Sequence, residues 1–199
     1  MGRWEPNARG RLAEAALDLY SERGFEQTTV AEIARRAGLT ERTYFRHYAD
    51  KREVLFGGSE LRDLLVEAVA GAPEGIATLD LLSLGLEAMS TMFDDRRAYA
   101  RKRQSVIVAN TELQERELIK LASLSAVLAE TLRGRGVPER SASLSAETGI
   151  AVFKVGFERW IADGEDRAMA PVMREVLDEL TGLAARGGGS QGMSGASGA

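Results

Sequence analysis

The sequence predicts an all-α protein of about nine helices, in which a short three-helix unit precedes a larger helical domain. Apolar residues recur with the helical period of about 3.6 residues through most of the 199-residue chain. No segment shows the convincing alternation of apolar and polar residues that a half-buried strand would have. Glycines, prolines and paired acidic residues separate the periodic segments, as expected at helix ends.

The first helix is expected from about Asn7 to Arg23. Leu12, Ala16 and Leu19 fall on one face of this segment. Gly24 follows directly, and glycine is common where a chain leaves a helix.

Two short helices are expected next. Either Thr28 or Thr29 caps the second helix, and Glu32 completes a capping-box pattern with Thr29. A tight turn at Gly38 follows. Thr40 then caps a third helix over about 41–48.

A fourth helix, capped by Asp50, is expected to turn Val54, Leu55 and Leu61 inward. Gly57-Gly58 would fall in its interior, where glycine is unfavourable. One interpretation is a simple break, with a new helix capped by Ser59. The other is a soft joint that transmits ligand binding, and alanine there should stabilise the chain unless the glycines have positive φ.

Five longer helices are expected in the second half. Their approximate spans are 76–93, 97–109, 111–133, 141–163 and 168–186. The predicted domains are residues 1–50, residues 51–186 and a flexible Gly/Ser-rich tail over 187–199.

Composition excludes several classes of protein. The chain has no cysteine and one histidine, His47, so disulfides and thiolate zinc sites are excluded, and no metal or cofactor is predicted. No apolar run is long enough to cross a membrane and no secretory signal is visible, so we expect a cytoplasmic protein. The net charge is −4, yet residues 1–52 hold 10 basic and 8 acidic residues. This asymmetry is compatible with a nucleic-acid partner.

The pattern of residues 24–51 predicts the function of the protein. A helix, a turn containing Gly38 and a second short helix form a helix-turn-helix, whose second helix enters the DNA major groove. Thr40, Arg42 and Thr43 on that helix can reach base edges or phosphates. Arg46, His47 and Lys51 add positive charge or hydrogen-bond donors on its flanks.

This segment resembles the TetR family of bacterial one-component regulators. The matching residues are Gly24-Phe25, Thr28-Thr29-Val30, Ile33-Ala34, Ala37-Gly38, Thr43, His47 and Lys51. The resemblance implies an N-terminal DNA-binding unit and a helical domain for ligand binding and dimerisation. It also implies a homodimer on a palindromic operator of double-stranded DNA, usually a repressor, that a small-molecule effector releases.

The family often has an aliphatic residue followed by tyrosine where this chain has Tyr44-Phe45. Phe45 in the tyrosine position would lack one phosphate contact. Tyr44 is interpreted mainly as a core residue, with a place at the DNA surface as the alternative. The predicted DNA-binding residues are Thr28, Thr29, Thr40, Arg42, Thr43, Tyr44, Arg46, His47 and Lys51.

An effector pocket is predicted from aromatic and methionine clusters, since methionine suits adaptable pockets. Core packing remains the alternative for each residue. The effector is expected to be largely apolar. The candidates are Met89, Met92, Phe93, Tyr99, Phe153 and Phe157.

The run from Arg96 to Arg103 holds five cations. A solvated helix face is the favoured interpretation, and an anion site for the effector is the alternative. The last two long helices are the expected dimer interface because they carry extensive apolar surface. The remaining functional alternative is an all-helical dimeric enzyme or small-molecule-binding protein whose N-terminal helices do not bind DNA.

Overall fold

The structure, a computed structural model, describes residues 7–93, 95–162 and 164–188. Every regular element in these ranges is helical. A single 3₁₀ turn, Glu53–Leu55, lies between the third and fourth helices. The nine α-helices are α1 (Ala8–Arg23), α2 (Val30–Arg36), α3 (Glu41–His47), α4 (Glu60–Ala70), α5 (Thr78–Ser90), α6 (Arg97–Val108), α7 (Thr111–Gly134), α8 (Glu139–Ile161) and α9 (Met169–Gly188).

The all-α prediction is confirmed, and the local signals at the first helices act as expected. Thr29 caps α2, and the side chain of Glu32 bonds back to the Thr29 amide in a complete capping box. The Thr40 hydroxyl accepts a hydrogen bond from the Thr43 amide at the start of α3. Gly24, with φ of 89°, ends α1.

The prediction of one continuous fourth helix is wrong. The Asp50 carboxylate accepts hydrogen bonds from the amides of Arg52 and Glu53, and so begins the 3₁₀ turn. The chain then breaks at Gly57, whose φ of 62° cannot continue a right-handed helix. The alternative of a simple break, followed by a new helix from Ser59, is therefore confirmed.

The core of the predicted DNA-binding unit, called the DNA-proximal core, joins the first three helices and the 3₁₀ turn. Three tyrosine hydroxyls donate to backbone carbonyl oxygens within it: Tyr20 to Lys51, Tyr44 to Asp50 and Tyr48 to Arg9. Buried hydroxyls need such partners, and here the partners hold the chain where it leaves α3. The tyrosines thus fix α3 against α1.

A second core is built from α4, α5, α7, α8 and α9. Trp160 lies at its centre, fully buried. The helices α8 and α9 approach closely at Gly156, where an added Cβ would lie 2.5 Å from the Met173 sulfur. Helix α6 connects the two cores: Ala100 packs in the second, whereas Ile107 packs in the DNA-proximal one.

Two further features concern the ends of the helical domain. Helix α9 continues to Gly188, so the predicted tail over 187–199 begins two residues too early, and its remaining residues lie outside the described ranges. Among the described residues, no helix has the length and apolar character needed to cross a membrane.

Replacement of Gly57 by alanine is expected to lower the free energy of unfolding by about 1 kcal/mol, because φ of 62° is unfavourable for residues with a Cβ. Gly134→Ala is the matched control. Gly134 lies at the end of α7 with open space around it, so alanine should be neutral or stabilising there. Thermal or urea unfolding of both variants tests this, and a more stable Gly57→Ala variant would contradict it.

Candidate nucleic-acid interface and ligand cavity

The outward face of α3 carries the side chains best placed for DNA contact. Arg42, Phe45 and Arg46 are exposed, and Phe45 retains 55% of its side-chain accessibility. Within the described ranges, no hydrogen bond or ion pair engages either arginine. Two cations one helical turn apart on one face can therefore reach an approaching duplex without losing a protein partner.

The hydroxyl groups of the threonines at the starts of α2 and α3 form hydrogen bonds within the helix caps. The hydroxyls of Thr40 and Thr43 lie 3.1 Å apart, and the Thr40 oxygen accepts from the Thr43 amide. The Thr29 hydroxyl donates to Glu32. Thr29 and Thr40 are exposed and Thr43 is half-buried, so each keeps some access to solvent. Their DNA contacts stay a prediction.

Thr28 and Tyr44 are removed from the predicted interface. Thr28 is 1% exposed, and its hydroxyl donates to the Gly24 carbonyl oxygen. Tyr44 is fully buried, with its hydroxyl on Asp50. The DNA-contact prediction is wrong for both, because packing of the three-helix unit turns these side chains inward. Phe45 takes the exposed position beside Tyr44.

His47 lies at the end of α3 and is half-buried. Its Nε2 atom is buried and has no hydrogen-bond partner among the described residues. Loss of hydration, with the charges of Arg46 and Arg9 nearby, lowers the pKa of His47 below its usual value. The contact of His47 with DNA stays a prediction.

The predicted phosphate contact of Lys51 is not what the structure shows. Its ammonium group donates to the carbonyl oxygens of Phe25 at 3.0 Å and of Thr28 at 3.4 Å. It also lies 4.1 Å from the centre of the Phe25 ring. Lys51 therefore holds the α1–α2 connection against the end of α3.

A cavity of about 630 Å³ lies between the DNA-proximal helices and the helical domain. Its lining comes from α1, the 3₁₀ turn, α4 and α6 to α8. The volume is within the range of small-molecule sites. Basic side chains outnumber acidic ones in the lining, seven to three.

Five of the six predicted effector residues line this cavity: Met92, Phe93, Tyr99, Phe153 and Phe157. Phe93 contacts both other phenylalanines, with ring centres 6.3 Å and 5.6 Å apart. Met89 does not line the cavity. It is 1% exposed in the helical core, so its assignment to the pocket is wrong and the core alternative applies.

The basic run at the start of α6 is only partly a solvated face: Arg96 and Arg101 are exposed, whereas Arg97 and Lys102 are half-buried. Arg97 donates to the carbonyl oxygens of Glu165 and Arg167, and Arg101 donates to that of Ile161 at 2.7 Å. Arg103 is largely buried. Backbone carbonyl oxygens at the end of α8 and just after it accept hydrogen bonds from Arg97 and Arg101. The spacing of residues within α6 could not predict these contacts.

Arg103 and Arg116 form a cluster around Phe56, together with Glu53 and Glu117. The guanidinium carbons of Arg103 and Arg116 lie 5.0 Å and 5.9 Å from the centre of the Phe56 ring. Arg103 donates to the Leu55 carbonyl oxygen at 2.7 Å and to Glu117 at 3.1 Å. Arg116 holds both carboxylate oxygens of Glu53. Burial lowers the pKa of Arg103.

Sequence reasoning missed this cluster, which we call the arginine cluster. Residues 53 and 116 are far apart in the chain, and no local pattern joins them. The one available signal is the presence of Arg116 and Lys120 four residues apart on a single helix, and both line the cavity. Among the described residues, no group of acidic and histidine side chains could hold a metal ion.

A helix-turn-helix with an exposed basic helix, followed by a helical domain with a ligand-sized cavity, defines a class of DNA-binding regulator. Residues 12–56 match the family model for bacterial regulatory proteins of the tetR family. These residues are similar to the DNA-binding unit of TetR-family regulators, and the chain resembles a transcriptional regulator over most of its length. The matches below support a regulator over the all-helical enzyme considered as the alternative.

The chain is similar to a protein of Mycobacterium tuberculosis whose name is that of a mycofactocin biosynthesis transcriptional regulator, MftR. The two are 28% identical over 171 residues, which covers 82% of this chain and 84% of the relative. Among solved structures, the fatty acid degradation regulator FadR of Bacillus halodurans aligns with a TM-score of 0.59 and 18% identity, covering 90% of this chain and 97% of that one.

A second solved structure is FadR of Thermus thermophilus, a TetR-family repressor in complex with lauroyl-CoA. It aligns with a TM-score of 0.55 and 22% identity, covering 96% of this chain and 100% of that one. At these identities the two structures establish a shared fold. The predicted fold class is confirmed, and the family match over residues 12–56 agrees with the resemblance to the TetR family.

Lys51→Met should lower the free energy of unfolding by about 1–3 kcal/mol, because carbonyl acceptors lose a charged donor. The salt dependence of DNA binding should stay unchanged, because backbone carbonyl oxygens already hold the ammonium group of Lys51. Arg46→Met is the matched control, and it should leave stability unchanged and reduce the log–log salt slope by about 0.9 per contact. A reduced slope with unchanged stability in Lys51→Met would restore the phosphate contact.

Proposed function

We propose that this chain is a cytoplasmic, homodimeric repressor that leaves a palindromic operator when a small molecule binds. Residues 1–50 bind DNA in this proposal, and residues 51–186 bind the effector and dimerise. The observation that carries it is the position of the 630 Å³ cavity, directly between the DNA-proximal helices and the helical domain. A ligand there contacts both parts and can favour one arrangement over another.

DNA binding is assigned to the outward face of α3. Arg42 is exposed in the first turn of the helix and Arg46 one turn later. In helix-turn-helix proteins, residues near the start of the second helix contact base edges in the major groove. Arg42 is therefore assigned to a base, and Arg46 to the flanking phosphates.

Dimerisation is assigned to α8 and α9. Leu144 and Val155 are exposed on α8, about three helical turns apart and hence on one face. Leu180 and Leu183 are exposed near the end of α9. Contiguous apolar surface of this kind marks a protein interface. Two copies joined there would present two α3 helices to one operator.

The effector is assigned a substantial apolar part, because Phe93, Phe153 and Phe157 line the cavity. The T. thermophilus regulator of the same fold binds lauroyl-CoA, which makes acyl-CoA thioesters suitable first probes. A dodecyl chain offers the apolar area that such a lining can bury.

The function is tested with an operator selected from fragmented genomic DNA on the immobilised protein. Fluorescence anisotropy then measures affinity for that operator with and without lauroyl-CoA, with free coenzyme A as the control. Release by lauroyl-CoA alone supports the proposal. Binding to all DNA with equal affinity, or affinity for none, contradicts it.

Arg42→Ala should weaken operator binding by about 1–3 kcal/mol and relax the preference at one base pair in each half-site. Arg140→Ala is the control, because it removes an equal charge from an exposed position at the start of α8. Competition with operators mutated one base pair at a time measures the preference. If Arg42→Ala lowers the affinity for every operator variant equally, Arg42 contacts a phosphate and not a base.

Leu144→Glu and Leu183→Glu should each shift the protein from dimer to monomer, because a carboxylate would be buried without a partner. Leu118→Glu is the matched control: Leu118 on α7 is 59% exposed and lies outside the assigned interface. Sedimentation velocity at micromolar concentration distinguishes the two states. A monomeric wild type, or an equal response of all three variants, would contradict the assignment.

A further inference from the structure

The arginine cluster has one property that the aromatic part of the cavity lacks, namely polar contacts with the segment that follows α3. It lines the cavity, and it also forms polar contacts between the helical domain and the 3₁₀ turn after α3. Arg103 belongs to α6 and Arg116 to α7, whereas their acceptors Leu55 and Glu53 belong to the 3₁₀ turn. A change in these pairings therefore reaches the DNA-proximal unit directly.

The cluster has unused capacity for an anion. Arg103 uses its Nε and Nη1 atoms, and Arg116 uses its Nε and Nη2 atoms. Each guanidinium keeps a further nitrogen for which the described residues provide no acceptor. Lys120 follows Arg116 by one helical turn, lines the cavity and pairs with no acid in the described ranges.

The charges of the cluster do not balance. Arg103, Arg116 and Lys120 face Glu53 and Glu117, so one positive charge remains beside the cavity. Both guanidinium groups also lie near the apolar ring of Phe56, and both side chains are largely withdrawn from water. In such a partly buried place, an anion gains more from a cation than it would in water.

We propose that Arg103, Arg116 and Lys120 bind the anionic group of an amphipathic effector, a carboxylate or a phosphate, and that this group competes with Glu53 for Arg116. The inference rests on the proposed function and adds the chemistry of the ligand and the contact that it changes. The apolar part of the effector lies among the cavity phenylalanines. The anion draws Arg116 away from Glu53, so the 3₁₀ turn loses its tie to α7 and α3 changes position.

Three probes with the same twelve-carbon chain separate the possible sources of the anion. Laurate carries a carboxylate, lauroyl-CoA carries phosphates, and dodecanol carries no charge. Calorimetry measures binding of each probe, and anisotropy measures operator release. Binding and release by either anion support the site and identify its source, whereas equal binding and release by dodecanol overturn it.

Arg116→Gln should weaken binding of the active anion by roughly tenfold or more, because a charge-assisted hydrogen bond is lost, and should leave dodecanol binding unchanged. Lys120→Gln should act in the same direction, and it removes no hydrogen bond or ion pair among the described residues, so a loss of folding should not obscure the result. Arg62→Gln is the control: Arg62 lines the cavity but pairs with its neighbour Asp63 on α4. Equal affinities in Arg116→Gln, Lys120→Gln and wild type would overturn the site.

Glu53→Gln tests the competition itself. Without the competing carboxylate, the anion should bind several-fold more tightly, and operator affinity in the absence of ligand should fall. The ratio of operator affinities with and without ligand should then approach one. Unchanged ligand and operator affinities would overturn the competition.

The two proposals fail differently. If none of the three probes releases the operator, effector release itself is contradicted. If an anion releases the operator from wild type and from all the arginine-cluster variants alike, only the anion site is contradicted.

Discussion

The pairing of two partly buried guanidinium groups governs how the two parts of this molecule are joined. Arg103 and Arg116 lie beside Phe56, where a charge without partners is costly. Their acceptors on the 3₁₀ turn and on α7 must therefore stay in place, and the chain leaving α3 is held with them. The DNA-proximal unit consequently takes its orientation from α6 and α7, the helices that also line the cavity.

The short α3 depends on polar contacts made far from its exposed face. A helix of seven residues has little stability alone. Tyr44 and Tyr48 bury their rings beneath it and bond to backbone carbonyls, and Lys51 closes the α1–α2 connection from the other side. These three side chains pack the helix, which leaves Arg42 and Arg46 free to meet DNA. One face of α3 packs against the core, and the opposite face is exposed to solvent.

Local patterns predicted most of the fold because they act over a few residues. The capping box at Thr29 and the helix end at Gly24 depend on neighbours within one turn, and both form as expected. The predictions were wrong for side chains whose partners are distant in the sequence. Lys51 fits a basic flank in the sequence, yet its ammonium group donates to backbone carbonyl oxygens of the α1–α2 connection.

The residues of the candidate cavity could also be predicted only in part from local patterns. Phe153 and Phe157 could be predicted together because aromatic residues at helical spacing share a face. Met89 lies on a neighbouring helix face and turns into the core instead. The pairing of Arg116 with Glu53 could not be predicted, because only the folded chain brings α7 to the 3₁₀ turn.

The aromatic packing around Trp160 gives the protein an internal optical reporter. Trp160 is one of two tryptophans, and Trp4, the other, lies outside the described residues. The indole ring centre is 6.0 Å from that of Phe93 and 6.1 Å from that of Phe157, both of which line the cavity. The guanidinium of Arg97 lies 5.0 Å from the indole. Indole emission responds to nearby charge and polarity, so the intrinsic fluorescence of a Trp4→Phe protein would report occupancy of the cavity without any added dye.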